Sequence, residues 1–353
     1  MAYLLYYLVL LPLSYLPFSW LYRLSDFLYL VGYRWMGYRA EVVKNNLRGA
    51  FPGWSEERVA RQAEDFYRYF FDTIVESIKN YSLPEEEAIR RLGIVNPEIV
   101  AHLAEQGRSC ILYGAHYGNW EIGGLSFPSQ FAPASVMAIY SPLKNEVMDR
   151  LTKYNRQRTG VTMVSRRDVY EYFERDALRP AIDIFVADQA PSNALWQKLH
   201  WTTFLGRITS FVAGPERFAV RHDRPVYYIN LRRLRRGYYS SKIYPVTEHP
   251  RDEAPGYITE CFARHLEYEI RRDPTLWLWS HRRWKREVPE EVETLLEDQG
   301  FIPAEYDPPT PARPPRSHHW LPRRRGQNSC GTGPPAFGPL RRSWPHCARY
   351  RGG

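Results

Sequence analysis

A histidine and a glutamate stand five residues apart in Gly114-Ala115-His116-Tyr117-Gly118-Asn119-Trp120-Glu121, and the two could form a general-base pair. Imidazole titrates near neutral pH. A carboxylate on one ring nitrogen would fix the tautomer and steady the imidazolium formed when the other nitrogen takes a proton. That proton would come from an alcohol attacking a thioester or ester carbonyl. On a continuous helix, residues five apart point about 140° away from each other, so His116 and Glu121 converge only if a turn separates them. Gly118 and Asn119 supply turn chemistry. A hydrogen-bonded structural histidine would have the same spacing, so the pair needs context. A zinc hydrolase site built from His116, Glu121 and the distant His200 or His281 is disfavoured, because no H-E-x-x-H helix or cysteine pair accompanies them. The chain also has no Walker loop, no dinucleotide glycine fingerprint and no G-x-S-x-G elbow. Direct attack by the acceptor hydroxyl is therefore expected rather than an acyl-enzyme.

The elements around these residues read as α/β. Ser109 to Ala115 is a buried strand running into His116, and Trp120-Glu121-Ile122 begins a helix. This places His116 at a strand's carboxyl end, where α/β sheets open to ligands. The apolar run Ala181 to Ala187 ends in Asp188-Gln189, which should face the same edge and position substrate. β-rich runs at 109–115, 134–140, 161–165, 181–187, 225–231 and 238–246 alternate with longer connections. The expected fold is α/β, with a central, mostly parallel or mixed sheet flanked by helices and an apolar amino-terminal membrane-anchoring helix. Ser55-Glu56-Glu57 after Pro52-Gly53 signals a helix start. Val59, Ala63, Phe66, Tyr67, Phe70, Phe71, Ile74, Val75 and Ile78 then recur at helical spacing, as on a core-facing helix.

The first 22 residues carry no charged side chain and are long enough in principle to cross a hydrocarbon layer of ~30 Å. Pro12 and Pro17 would kink such a helix, and Tyr3, Tyr6, Tyr7, Tyr15, Trp20 and Tyr22 suit the interfacial zone equally well. Spanning and lying in the interface are both compatible. Arg23, Arg34, Arg39, Lys44 and Arg48 place the following chain on the cytoplasmic side. The expected organisation is a membrane-anchoring segment at 1–35, a catalytic domain at 36–300, and a disordered Pro/Arg/Gly-rich tail at 301–353. The formal charge of +9 belongs to that tail, because residues 309–353 hold nine Arg and no acid, whereas residues 1–308 hold 39 basic and 39 acidic side chains. A nucleic-acid partner for the folded body is therefore not expected. Cys110, Cys261, Cys330 and Cys347 have no metal spacing and suggest a reducing compartment.

Gly114 to Glu121 resembles the H-x4-D/E block of the bacterial lipid A biosynthesis lauroyl/myristoyl acyltransferase family. Tyr38-Arg39 through Asn46-Leu47 with Phe51-Pro52 is similar to that family's amino-terminal segment. Ala187-Asp188-Gln189 and Phe204-Leu205-Gly206 resemble its middle blocks, and Trp277-Leu278-Trp279-Ser280-His281-Arg282-Arg283-Trp284-Lys285 its terminal block. The resemblance spans about residues 1–290. It implies transfer of an acyl chain from an acyl carrier protein or CoA thioester to a hydroxyl of a membrane lipid, a lipid A precursor in the best-known members. The setting implied is the cytoplasmic face of the cell inner membrane. No cofactor beyond the acyl thioester co-substrate is implied. His116 would be the base and Glu121 its partner, with Asn119, Arg156, Arg158, Asp188, Gln189, His281, Arg282 and Arg283 as substrate contacts. Arg156 or Arg158 would bind acceptor phosphate or the oxyanion. The cluster at 281–285 suits anionic headgroups or an acidic carrier protein. One departure is Tyr140-Ser141, where the best-known members have Tyr-Arg; Lys144 could replace that contact. Other acceptors (a lysophospholipid, an aminolipid, a glycolipid) and a catalytically silent membrane scaffold are the competing readings.

Overall fold

The computed structural model describes residues 1–175, 180–191 and 195–298. The tail from residue 301 lies outside them. Residues Met1–Pro303 make one compact unit. Its helices are α1 (Ala2–Tyr15) and α2 (Phe18–Trp35), α3 (Ala40–Ala50), α4 (Glu56–Lys79), α5 (Glu85–Arg91), α6 (Glu98–Glu105), α7 (Trp120–Gln130), α8 (Glu146–Gln157), α9 (Val169–Glu174), α10 (Gly214–His222), α11 (Tyr257–Arg272) and α12 (Glu290–Asp298). Its strands are β1 (Leu92–Ile94), β2 (Cys110–Gly114), β3 (Ser135–Tyr140), β4 (Val161–Ser165), β5 (Ala181–Val186), β6 (Leu199–Phe204), β7 (Arg207–Val212), β8 (Val226–Arg235) and β9 (Tyr238–Thr247).

Seven strands form the main sheet in the order β1-β9-β8-β2-β5-β3-β4, and β6 pairs with β7 in a separate antiparallel ribbon. Strands β2, β3, β4, β5 and β8 run parallel, while β9 turns back on β8. The sheet is thus mixed but mostly parallel, as the alternation of strands and helices leads one to expect. Strand β2 lies at its centre with all five residues buried, which suits a continuous apolar run covered on both faces. Gly114 pairs in register with Val186 of β5, so the residues leaving these two parallel strands emerge side by side at one edge. Strand β1 and the β6–β7 ribbon were not legible as strands.

Helix α4 begins at the Ser55 cap, whose hydroxyl accepts from the Arg58 amide. It buries Val59, Ala63, Phe66, Tyr67, Phe71 and Val75. Phe70, Ile74 and Ile78 are only half-buried, because a cavity rather than core lies against them. Among the described residues no single helix is long and apolar enough to cross a membrane. Helices α1 and α2 pass that test only together, and the chain bends by 120° between them, next to Pro17.

Inside the sheet, Asp183 of β5 is fully buried and paired with Arg224, itself 3% exposed. A buried ion that loses its partner costs far more than the pair contributes. Arg224→Met should therefore destabilise the fold by ~3–5 kcal/mol in denaturant unfolding, while adding Asp183→Leu recovers most of the loss. A single variant as stable as the parent would contradict this account.

Candidate functional site

His116 lies two residues past the end of β2, and Asp188 two residues past the end of β5. Parallel register brings them together. Asp188 Oδ1 accepts from the His116 backbone amide at 2.9 Å and lies 2.7 Å from His116 Nδ1, while Oδ2 accepts from the Trp277 indole at 2.9 Å. Burial alone would raise the Asp188 carboxyl. The charge and hydrogen bonds of His116, with the Trp277 indole, overcome that and hold it down at about 2. A carboxylate at Nδ1 keeps the proton there and leaves Nε2 as the open, basic nitrogen. Gln189 Nε2 stands 3.3 Å from that atom.

The carboxylate on His116 is therefore Asp188 and not Glu121. The turn at Gly118-Asn119 does form, but it delivers Glu121 to a different partner. Arg156 of α8 donates to both Glu121 oxygens, Nε at 3.1 Å and Nη2 at 2.5 Å. The side chain between them, Trp120, meets the His116 ring edge-on at a centroid distance of 4.9 Å.

The loop carrying His116 is held on several sides. The His116 carbonyl accepts from the Leu278 amide and the Gly118 amide donates to Leu276, so the loop and the 276–278 segment pair like a short ladder. The Tyr117 hydroxyl lies 3.0 Å from the carbonyls of Glu269 and Asp273. Gly118 has φ +69°, and a Cβ there would sit 2.7 Å from that of Leu231, so conformation and space both require glycine. Asn119 caps α7 by accepting from the Ile122 amide and donates to Glu76 Oε2 at 2.5 Å. Glu76 also accepts from the hydroxyls of Tyr22 and Tyr239, and burial raises its carboxyl.

An apolar cavity of about 430 Å³ adjoins this edge. It lies along α4, between Phe66, Phe70, Ile74 and Ile78 on one side and Trp120, Trp277 and Leu278 on another, with Leu10 of α1 and Glu121 also in its wall. Such a volume falls in the range of ~300–1,000 Å³ typical of ligand sites.

Several expected contacts are spent inside the protein. Asn119 is fully buried, and its amide is engaged at both ends by α7 and Glu76, so it builds the site rather than touching a ligand. Arg158 caps the carbonyls of Asn80 and Leu83. Arg283 is 2% exposed and donates to the Ser210 carbonyl, and burial lowers its guanidinium to about 10. His281 accepts from the Ala190 amide through Nε2, and burial lowers it to about 4, so it is neutral at physiological pH. Only Arg282 and Lys285 of that basic cluster are exposed. His200 pairs with Glu260, away from His116. Trp277, which opens the terminal block, and Glu76, which no motif singled out, both hold the site together, the first through Asp188 and the second through Asn119. A carboxylate on the apolar face of α4 was the available signal for Glu76.

The profile of the bacterial lipid A biosynthesis acyltransferases matches residues 1–286. Among curated proteins, the lipid A biosynthesis lauroyltransferase of Escherichia coli (strain K12) is 27% identical over 154 residues, which is 44% of this chain and about half (49%) of that protein's length. The lipid A biosynthesis palmitoleoyltransferase of the same organism is 25% identical over 264 residues, 70% of this chain and 79% of that protein. A lipid A biosynthesis acyltransferase of Shigella flexneri matches to the same extent.

Asp188 gives the site a defined pH signature. Its folded pKa lies below the ~3.9 of an unfolded aspartate, so the stabilisation is complete above pH ~4 and disappears as pH falls toward 2. Asp188→Asn should cost ~2–3 kcal/mol at pH 6 and progressively less below pH 4, measured by urea unfolding across that range. A penalty that stays constant with pH would show that the ionised carboxylate is not what matters.

Proposed function

The chain belongs to the bacterial lipid A biosynthesis acyltransferase family, and from that premise we propose that it transfers a fatty acyl chain from an acyl carrier protein or CoA thioester to a hydroxyl of a membrane lipid, of the lipid A precursor class. The observation that carries this reading is the His116–Asp188 pair with an apolar cavity beside it, walled by Trp120 and Trp277, which touch the pair. The cavity takes the acyl chain, whose burial is worth ~0.8 kcal/mol per CH₂. His116 Nε2 takes the acceptor's proton as its oxygen attacks the thioester carbonyl, and Asp188 stabilises the imidazolium. Gln189 moves aside for the hydroxyl or hydrogen-bonds to it. Protonation of the departing thiolate returns the proton and completes the cycle. Glu121, held by Arg156, brings a carboxylate into the cavity wall near Thr73 and Ser77 and orients the reacting ester region.

The reaction takes place at a membrane surface, the cytoplasmic face of the inner membrane. Support comes from α1 and α2, which expose Leu4, Leu8, Val9, Trp20, Phe27 and Leu30. Along α2 the outward residues Trp20, Arg23, Phe27, Leu30 and Arg34 recur every three or four positions, mixing aromatic and basic side chains as interfacial helices do. The bend between the helices favours lying in the interface over crossing it. An acceptor other than a lipid A precursor, such as a lysophospholipid, is favoured by one observation, Ser141 in place of the family's arginine.

Purified protein supplied with defined acyl thioesters and a panel of lipid acceptors in vesicles tests donor and acceptor together. His116→Ala should lower turnover by about 10²–10⁴ with the fold retained. Wild-type turnover in that variant would remove His116 from the mechanism. Glu121→Gln and Arg156→Gln should each impair transfer, and the double variant should be no worse than the more severe single one, since both changes break one pair. Strict additivity in that cycle would mean the two side chains act separately.

A further inference from the structure

We propose that the tip of the β8–β9 hairpin, residues 232–238, is a second lipid contact that recognises anionic headgroups beside α1 and α2. The proposal rests on the interfacial placement of those two helices. The tip reads Arg232-Arg233-Leu234-Arg235-Arg236-Gly237-Tyr238. Its arginines divide into two sets. Arg233 and Arg236 turn inward onto the buried Asp72, and Arg236 also bonds Asp26 and the Tyr22 carbonyl of α2. Arg232 and Arg235 are exposed, and between them Leu234 is 62% exposed. A leucine held out at the end of a basic hairpin is out of place in water and well placed at a bilayer surface, where it inserts while its neighbours meet phosphates.

The tip is fastened to α2 as part of the same surface. Arg91 stacks over Phe18 of α2 at 3.3 Å and over Tyr238 at 4.7 Å, and donates to the Gly237 carbonyl. Gly237 has φ +75°, and a Cβ there would collide with the Tyr22 hydroxyl, so the hairpin and the helix are packed without a gap. Asp26, the nearby acid on α2, is held by Arg236 and does not oppose an anionic surface. Leu234 and Arg235 therefore stand exposed at the end of a hairpin that is fastened to α2, with Arg232 exposed beside them. An acidic protein would also suit two exposed arginines, of which Arg235 stacks on Tyr238 at 4.0 Å, but the exposed leucine between them favours lipid.

The test is vesicle cosedimentation of the full chain at physiological salt, with vesicles of phosphatidylcholine alone and with added phosphatidylglycerol. Each basic side chain at an anionic surface is worth about a fivefold change in partitioning. Arg232→Gln with Arg235→Gln should lower binding to the anionic vesicles about 25-fold and leave binding to phosphatidylcholine unchanged. Leu234→Asp should weaken both, with thermal unfolding of both variants as in the parent. Unaltered partitioning of the double variant would overturn the proposal. So would unaltered partitioning accompanied by a raised KM for a carrier-protein thioester, which would assign the arginines to an acidic protein. Trp20→Ser with Phe27→Ser separates the premise from the proposal: if that variant binds both vesicle types as the parent does, the interfacial reading of α2 fails whatever the hairpin variants show.

Discussion

A carboxylate sealed from water at the end of a sheet has to be compensated, and the compensation of Asp188 organises this site. Unpaired, such a charge would be costly enough to force protonation. Its donors come from two other parts of the chain: His116 after β2, through backbone and ring, and Trp277 after α11. Satisfying one buried ion thus fixes where the His116 loop ends, which ring nitrogen faces the carboxylate, and where the Trp277 segment crosses the sheet edge. The Trp277 segment is in turn held from behind, since Asn46 of α3 donates to the carbonyls of Trp279 and His281 and Arg39 donates to that of Ser280. The amino-terminal and carboxyl-terminal motifs are distant in sequence because they are two sides of this one clamp.

Helix α4 is the second organising element. Asp72 and Glu76 are four residues apart on its buried face, and each collects donors from separate elements. Asp72 receives Ser25 of α2 and the two inward arginines of the β8–β9 hairpin. Glu76 receives Tyr22 of α2, Tyr239 of β9 and Asn119 of the catalytic turn. Glu76 therefore connects α2 to the start of α7, which carries Glu121, while Asp72 ties α2 to the hairpin. A displacement of α2 at a membrane would reach the turn through a single shared side chain.

Most of the framework was legible from periodicity. The strands at 110–114, 135–140, 161–165, 181–186 and 226–235 fall where apolar runs stood between turn residues, and α4 starts at its serine cap. Strand β1, three residues long, carried too little pattern to register, and the β6–β7 ribbon, with its alternation of polar and aromatic residues, was masked by turn-rich surroundings. The choice of carboxylate partner was illegible for a different reason. Local spacing shows which residues a turn can bring together, but Asp188 reaches His116 through parallel pairing across 72 residues, and only strand register reveals that. The same limit explains Arg283 and Asn119: composition marks a residue as polar, whereas burial decides whether the polarity is spent on the protein itself.

The cavity joins these threads. Leu10 of α1 helps to line it, so the apolar amino-terminal segment also closes the space beside the site. In the proposed transfer, the polar end of the donor meets Glu121, the carboxylate in the cavity wall, which Arg156 holds. Trp120 packs edge-on against the His116 ring, while Asp188 behind it is sealed from water, which strengthens its electrostatic hold on the imidazole. An apolar channel and a buried ion usually conflict. Here the ion is sealed: Asp188 is 2% exposed and is engaged by the histidine it orients and by Trp277.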